Sequence, residues 1–270
     1  MASGRGPVGF WLRLAVVVIY PAVSVFFKVR WRGREHVPRS GGAIVVVNHV
    51  SYVDPLVFAR FVWDSGRTPR FLAKDSLFRL FFIGRVLRGA DQIPVSRGTA
   101  DAQTSLRHAV AALGRGEVVC IYPEGTVTKD PDYWPMVGRT GVARLALATD
   151  VPVIPVAQWG PQETVDVELR RFKPFPRHEV VCQAGSPVDL SAYRGRPMTA
   201  ELLREVTDEI MVRVRDQLAE LRGEEPPKLF WKRPAPTRRD VVGRAGEARR
   251  EVGPGGTDAA GADEPAGDGR

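Results

Sequence analysis

The chain has 270 residues, 44% of them hydrophobic, enough for one sizeable core, and its length favours a single domain with appendages over two independent ones. Two cysteines exclude a disulfide framework: Cys120 and Cys182 sit among apolar, β-branched neighbours and read as reduced core residues on strands, in keeping with a reducing compartment. The formal charge of +8 is concentrated in residues 1–40, where seven cations face one anion beside the most apolar segment, a placement that favours an anionic membrane surface over nucleic acid, for which no binding motif is present.

Phe10 to Phe27 is an apolar run of eighteen residues with one charge, Arg13. As a helix it is about 27 Å long, close to the hydrocarbon thickness of a bilayer, which predicts a membrane-associated helix. Pro21 lies inside it, and Trp11 and Tyr20 favour interfaces, so a kinked or partly inserted helix and a spanning one are both open. Basic Lys28 to Arg34 stands where a cleavage site would be, which argues against a signal peptide. If the helix spans, these cations put the following domain at the cytoplasmic face of the cell membrane. Lys28, Arg30, Arg32 and Arg34 alternate with period two and share one face of an extended strand, either a solvated edge strand or a contact for lipid phosphates.

Ala43 to Val47 is a short β-branched run bounded by Gly41-Gly42, suited to a strand buried on both faces. It ends in polar chemistry: Asn48, His49, Ser51 and Asp54 fall where such a strand reaches the rim of the sheet. A carboxylate on one imidazole nitrogen fixes the tautomer and lets the other take a proton from a hydroxyl, and His49 with Asp54 would form such a pair across a strand-to-helix turn. Ser51-x-x-Asp54 and Asp54-Pro55 equally fit a capping box and a proline at the first helical position.

Leu56 to Val62 predicts a short helix and Phe71 to Lys74 a second strand. Leu77, Phe78, Leu80, Phe81, Phe82 and Ile83 form a dense apolar cluster that reads as core, or as a surface that dips into a membrane or lines an acyl-chain tunnel. Gln92 to Arg97 predicts a strand with a basic exit, followed by a helix capped by Thr99 or Asp101 with Leu106, Val110 and Leu113 on one face. Glu117 to Ile121 is a further buried strand, and it delivers Tyr122-Pro123-Glu124-Gly125-Thr126 to the same rim as His49. Gly138-Arg139-Thr140-Gly141 opens a helix to Ala148 and makes a reasonable anion site. Val151 to Val156, interrupted by Pro152 and Pro155, suits an edge or irregular strand. Val165 to Leu169 and Glu179 to Cys182 predict later strands, and Pro197 to Leu221 a long amphipathic helix. From Gly223 onward Pro, Gly, Ala and charged residues dominate, which predicts a largely disordered tail. His36, His108 and His178 stand singly and no Cys/His spacing suits a metal, so none is expected.

Four blocks in order, Asn48-His49-x-Ser51-x-x-Asp54, Gln92 to Arg97, Tyr122 to Thr126 and Val151 to Val156, resemble the glycerolipid acyltransferases, the family that includes 1-acylglycerol-3-phosphate acyltransferase. The resemblance implies an α/β domain with a mixed, mostly parallel sheet flanked by helices over residues 35–222, preceded by the membrane-associated helix and basic flank (1–34) and followed by the tail (223–270). It implies acyl transfer from a thioester, acyl-CoA or acyl-carrier protein, to the free hydroxyl of a lysophosphatidic acid or related lysophospholipid, with no further cofactor. His49 and Asp54 would be catalytic. Asn48, Ser51, Arg97, Glu124, Gly125, Thr126 and Arg139 would bind substrate, Arg97 gripping the phosphate. One departure is visible: the family continues Gly-Thr-Arg-Ser where this chain has Val127 and Thr128, leaving Lys129 or Arg139 to replace the missing cation. Two rival readings use the same residues: Ser51 as an acyl-enzyme nucleophile, although no G-x-S-x-G elbow supports it, and a catalytically idle membrane-binding module.

Overall fold

A computed structural model describes residues 9–95, 99–166 and 171–232. In chain order the elements are α1 (Phe10–Phe26), β1 (Phe27–Arg32), β2 (Ala43–Val47), α2 (Asp54–Asp64), β3 (Pro69–Lys74), α3 (Asp75–Phe78), α4 (Phe81–Gly89), β4 (Ile93–Val95), α5 (Thr99–Gly114) and β5 (Val118–Ile121). They continue with α6 (Gly141–Leu147), β6 (Val153–Trp159), α7 (Pro161–Thr164), β7 (Val165–Asp166), β8 (Arg171–Phe172), β9 (His178–Ala184) and α8 (Ala200–Arg222). Seven strands make one sheet in the order β1-β9-β6-β2-β5-β3-β4, and β7 and β8 pair separately. All neighbours in the large sheet run parallel except β6 and β9.

Every residue of β2 is buried because the strand is covered on both faces, which is why its sequence is a continuous apolar run. Ala43, Val45 and Val47 pack with Val23 of α1 and Val57, Phe58 and Phe61 of α2. Ile44 and Val46 pack on the other face with Ala109 and Leu113 of α5, Leu145 of α6 and Leu203, Val206 and Ile210 of α8. Each of the Val, Ile, Leu and Phe side chains among them contributes roughly 1.5–3 kcal/mol by leaving water. The period-two expectation for the basic strand also fits: β1 is an edge strand whose Lys28, Arg30 and Arg32 are exposed.

One expectation is corrected and two open readings are narrowed. The strand over 151–156 is interior, not an edge: β6 lies between β2 and β9. Pro155 is tolerated because the last β9 pair is Val156 with Ala184, so the missing donor falls where β9 has left the ladder; the Pro155 carbonyl accepts from Gly185 N at 2.9 Å. Of the two readings of the 77–83 cluster, core and surface, the exposure favours surface. Phe78 is buried, but Leu77, Leu80, Phe81, Phe82 and Ile83 are exposed on α3 and α4. Among the described residues no helix is long and apolar enough to cross a membrane; α1 has 17 residues and lies against α2 and α4.

The strand expected over 165–169 is β7, which ends at Asp166, and 167–170 fall outside the described residues. In the expected tail, Gly223 ends α8 in the left-handed conformation and Trp231 forms a bridge with Met136; residues 233–270 lie outside the described residues.

Candidate active site

The C-terminal ends of β2 and β5 are adjacent, because the two strands pair in parallel with Val46 opposite Ile121. That register brings the residues after Val47 beside those after Ile121. His49 Nδ1 lies 2.9 Å from Asp54 Oδ2. The same carboxylate oxygen accepts the amides of Val50 (2.6 Å) and Ser51 (2.8 Å). Asp54 therefore reaches back to the turn before it, and α2 makes no side-chain cap at its start. Pro55 still occupies the first turn, where its missing N–H is harmless. Asp54 is fully buried, whereas the His49 side chain keeps 13% of its surface open to solvent.

Glu124 holds the second half of the rim. One of its oxygens accepts His49 N and the other accepts Met136 N, both at 2.9 Å. The Thr128 amide closes the connection by donating to the His49 carbonyl at 2.7 Å. Beyond it, Asp130 Oδ1 accepts the amides of Asp132 and Trp134, and Thr128 Oγ1 donates to the Trp134 carbonyl, so the loop after β5 is built by its own side chains. Burial pushes the Glu124 carboxyl up to about 8, with the Met136 and His49 amides pulling it down and the carboxylates of Asp54 and Asp130 pushing it further up.

Asn48 continues the β2–β6 ladder with its side chain. Its Nδ2 donates to the Gln158 carbonyl (3.0 Å) and its Oδ1 accepts Gln158 N (2.7 Å), one step beyond the last backbone pair, Val47 with Val156. Ser51 is fully buried, and its hydroxyl donates to the Val165 carbonyl at 3.4 Å. Gly125 adopts φ +69°, and a Cβ there would come within 2.7 Å of Arg139 Nε, so glycine lets the guanidinium of exposed Arg139 pass close to the backbone. The Arg139 amide donates to the Pro123 carbonyl at 2.9 Å. Arg139 thus joins the Glu124 loop, with half-buried Thr126 between them in sequence. Arg97 lies outside the described residues.

Sequence reasoning passed over Tyr122. Its ring centroid is 4.3 Å from that of His49 with an interplanar angle of 31°, and it packs on Phe58 and Phe71. Its phenol is held far above the usual tyrosine range by burial, then by the charge of Asp54. The only signal for it was its position as the residue between a buried strand and Pro123-Glu124. Gln158 and Met136, which supply backbone partners to the rim, carried no signal at all. Among the described residues no three of His, Cys, Asp and Glu come together to hold a metal ion. A cleft of about 500 Å³ opens elsewhere, beside Phe78, Arg88, His108 and Arg115, and does not include the His49 pair.

A buried strand that delivers a carboxylate-held imidazole to the rim of an open α/β sheet defines a domain suited to proton abstraction from a hydroxyl. Residues 28–159 match the family model described as Acyltransferase. A protein of Mycobacterium tuberculosis described as uncharacterized is 31% identical over 169 residues, covering 57% of this chain and 45% of that protein. The 1-acyl-sn-glycerol-3-phosphate acyltransferase of Bacillus subtilis is 24% identical over 191 residues, covering 70% of this chain and 87% of that enzyme. The crystal structure of the 1-acyl-sn-glycerophosphate acyltransferase of Thermotoga maritima shares the fold, with a TM-score of 0.56 at 22% identity over 80% of this chain and 81% of that one. Over residues 28–159 the chain is therefore similar to the glycerolipid acyltransferases. It spans about half the length of several of the curated relatives it matches, 45% in the mycobacterial case.

Proposed function

We propose that this protein transfers a fatty acyl group from a thioester, acyl-CoA or acyl-carrier protein, to the free hydroxyl of a lysophosphatidic acid or related lysophospholipid. The observation that carries the reading is the 2.9 Å contact of His49 Nδ1 with a buried carboxylate already fixed by two amides. With Nδ1 engaged, Nε2 is the nitrogen that accepts the proton. The acceptor hydroxyl gives its proton to Nε2 as its oxygen bonds to the thioester carbonyl carbon. The tetrahedral intermediate then collapses, the C–S bond breaks, and the imidazolium returns the proton to the departing thiolate. Asp54 stabilises the imidazolium while it exists. Arg97 is proposed to hold the acceptor phosphate, and Arg139, whose guanidinium passes beside Gly125, to supply the cation that Val127 leaves out. Thr126 lies in the same loop. Glu124, with both oxygens on backbone amides, and Asn48 brace the rim; Ser51 supports the turn in place of acting as a nucleophile.

The proposed location is the cytoplasmic face of the cell membrane, with α1 lying along the lipid interface. At about 25 Å it is short of a bilayer core, and it exposes Phe10, Val17, Val18 and Val25 away from the domain. The test is transfer from labelled acyl-CoA, and separately from acyl-carrier protein, to a panel of lysophospholipids by wild type and His49→Ala. Product from wild type and none from the variant supports the reading and identifies the acceptor. Failure of wild type with every pair rejects it.

A further inference from the structure

We propose that the elbow between α3 and α4 is a second lipid-docking element, one that inserts Phe81 and Phe82 into an anionic bilayer beside α1. Five large apolar side chains fall within seven residues here, and all are exposed: Leu77 40%, Leu80 47%, Phe81 77%, Phe82 63% and Ile83 47%. A cluster of this kind on a protein surface marks a site of contact with a partner or a membrane.

The exposure is built into the backbone. Phe78 turns inward as the anchor, and Gly84 lies so close beneath it that a Cβ would come within 2.1 Å of the Phe78 carbonyl oxygen. Gly84 N donates to the Leu80 carbonyl at 2.7 Å, and the Arg88 guanidinium donates to the Phe78 carbonyl. The elbow is thus tied at both sides of its bend while its apolar side chains point out of the fold.

Charge selects a bilayer as the occupant. Within residues 74–88 the elbow carries Lys74, Arg79, Arg85 and Arg88 against one carboxylate, Asp75, which pairs with Arg79 at 2.9 Å, while Asp91 just beyond pairs with Arg70. The Arg85 guanidinium sits 4.4 Å above the Phe81 ring, an arrangement that keeps a cation at the level of the lipid phosphates while the ring enters the acyl region. Aromatic side chains with a cationic rim suit anionic lipid. The neighbouring helix supplies continuity: Gly89 of α4 seats Trp11 of α1 so tightly that a Cβ would meet its indole at 2.1 Å, and α1 carries its own exposed apolar residues. One lipid surface can cover both helices.

The test needs no acyl transfer, so its outcome is independent of the catalytic reading. Wild type and the double variant Phe81→Ser/Phe82→Ser are floated with phosphatidylglycerol–phosphatidylcholine vesicles and with phosphatidylcholine alone. The expected result is partition of wild type onto the anionic vesicles and at least about a tenfold loss in the variant, since withdrawing even one ring fully from lipid costs about tenfold. Thermal melting is expected to be unchanged, because both rings are exposed. In a second variant, Phe82→Cys, position 82 alone takes a fluorescent thiol label, as Cys120 and Cys182 are fully buried. Its emission is expected to be quenched by nitroxides on the lipid acyl chains. Undiminished partition of the double variant, an unquenched label, or self-association of wild type without lipid that the double variant abolishes would each overturn the proposal.

Discussion

His49 Nδ1 and the Val50 and Ser51 amides all converge on one oxygen of Asp54, at 2.9, 2.6 and 2.8 Å. That oxygen orients the imidazole and holds the turn that carries it, so the two roles are separable by substitution. Asp54→Asn keeps an acceptor and removes the charge. It is expected to lower kcat by ~10² to 10⁴, the usual contribution of a general base, with little change in the acceptor KM. Asp54→Ala also releases two buried amides and is expected to melt at lower temperature. Steady-state kinetics alongside thermal denaturation check both, and a near-normal kcat in Asp54→Asn would remove His49 from the role of base.

Tyr122 lies face to face with His49, and its hydroxyl is buried without a hydrogen-bond partner among the described residues. The ring, and not the hydroxyl, is the useful part. Tyr122→Phe is expected to retain kcat and to be as stable as wild type or more stable by about 1 kcal/mol, since an unsatisfied buried hydroxyl is unfavourable. Tyr122→Ala opens a cavity under the imidazole. A loss of about 3–5 kcal/mol is expected, with a fall in kcat beyond what the fraction unfolded explains. Urea denaturation and assays well below the melting temperature separate the two effects.

Much of the architecture could be read from local pattern. Ala43 to Val47 is apolar at every position because it is covered on both faces, and Lys28 to Arg32 alternates because β1 is an edge. The His49–Asp54 pairing was visible as spacing, and the capping-box reading is half realised: Asp54 accepts the Ser51 amide, but the Ser51 hydroxyl goes to the Val165 carbonyl and not to the Asp54 amide. Pro155 misled because its tolerance depends on where another strand stops, a long-range fact absent from its own segment. The 77–83 cluster was left open between core and surface, because apolar composition alone does not say whether a segment is covered by the fold. The roles of Glu124 and Asn48 were hidden because their partners are backbone groups of distant residues, Met136 and Gln158, and an amide leaves no mark in sequence.

Asn48 supplies a side-chain rung between β2 and β6. Asn48→Ala strands the buried Gln158 amide and carbonyl, and a loss of about 2–4 kcal/mol is expected from two unsatisfied groups. Asn48→Asp offers an acceptor to the Gln158 amide but sets a carboxylate oxygen against its carbonyl, and is expected to be at least as damaging. Both variants should keep the acceptor KM while losing stability. A raised KM with unchanged melting would instead make Asn48 a substrate contact, the role the family resemblance implies.

Glu124 provides a pH-dependent prediction with a definite sign. Burial raises its carboxyl from 4.5 to about 8, more than offsetting the two amides that favour the ionised form. Between those values the folded chain keeps a proton that the unfolded chain has released, so this group stabilises the fold fully below about 4.5 and the contribution is lost as pH rises through about 8. The slope it adds is at most about 1.4 kcal/mol per pH unit. Glu124→Gln removes the titration, and it also turns an amide NH₂ toward one of the two backbone donors, so it is expected to be less stable at every pH. The decisive quantity is the difference in slope between wild type and variant, measured by urea denaturation from about pH 5 to about pH 8. A steeper decline in wild type supports a proton held on Glu124 in the fold. Parallel slopes would mean that the His49 and Met136 amides keep the carboxylate ionised throughout, and the brace between the His49 turn and its loop would then be charge-assisted.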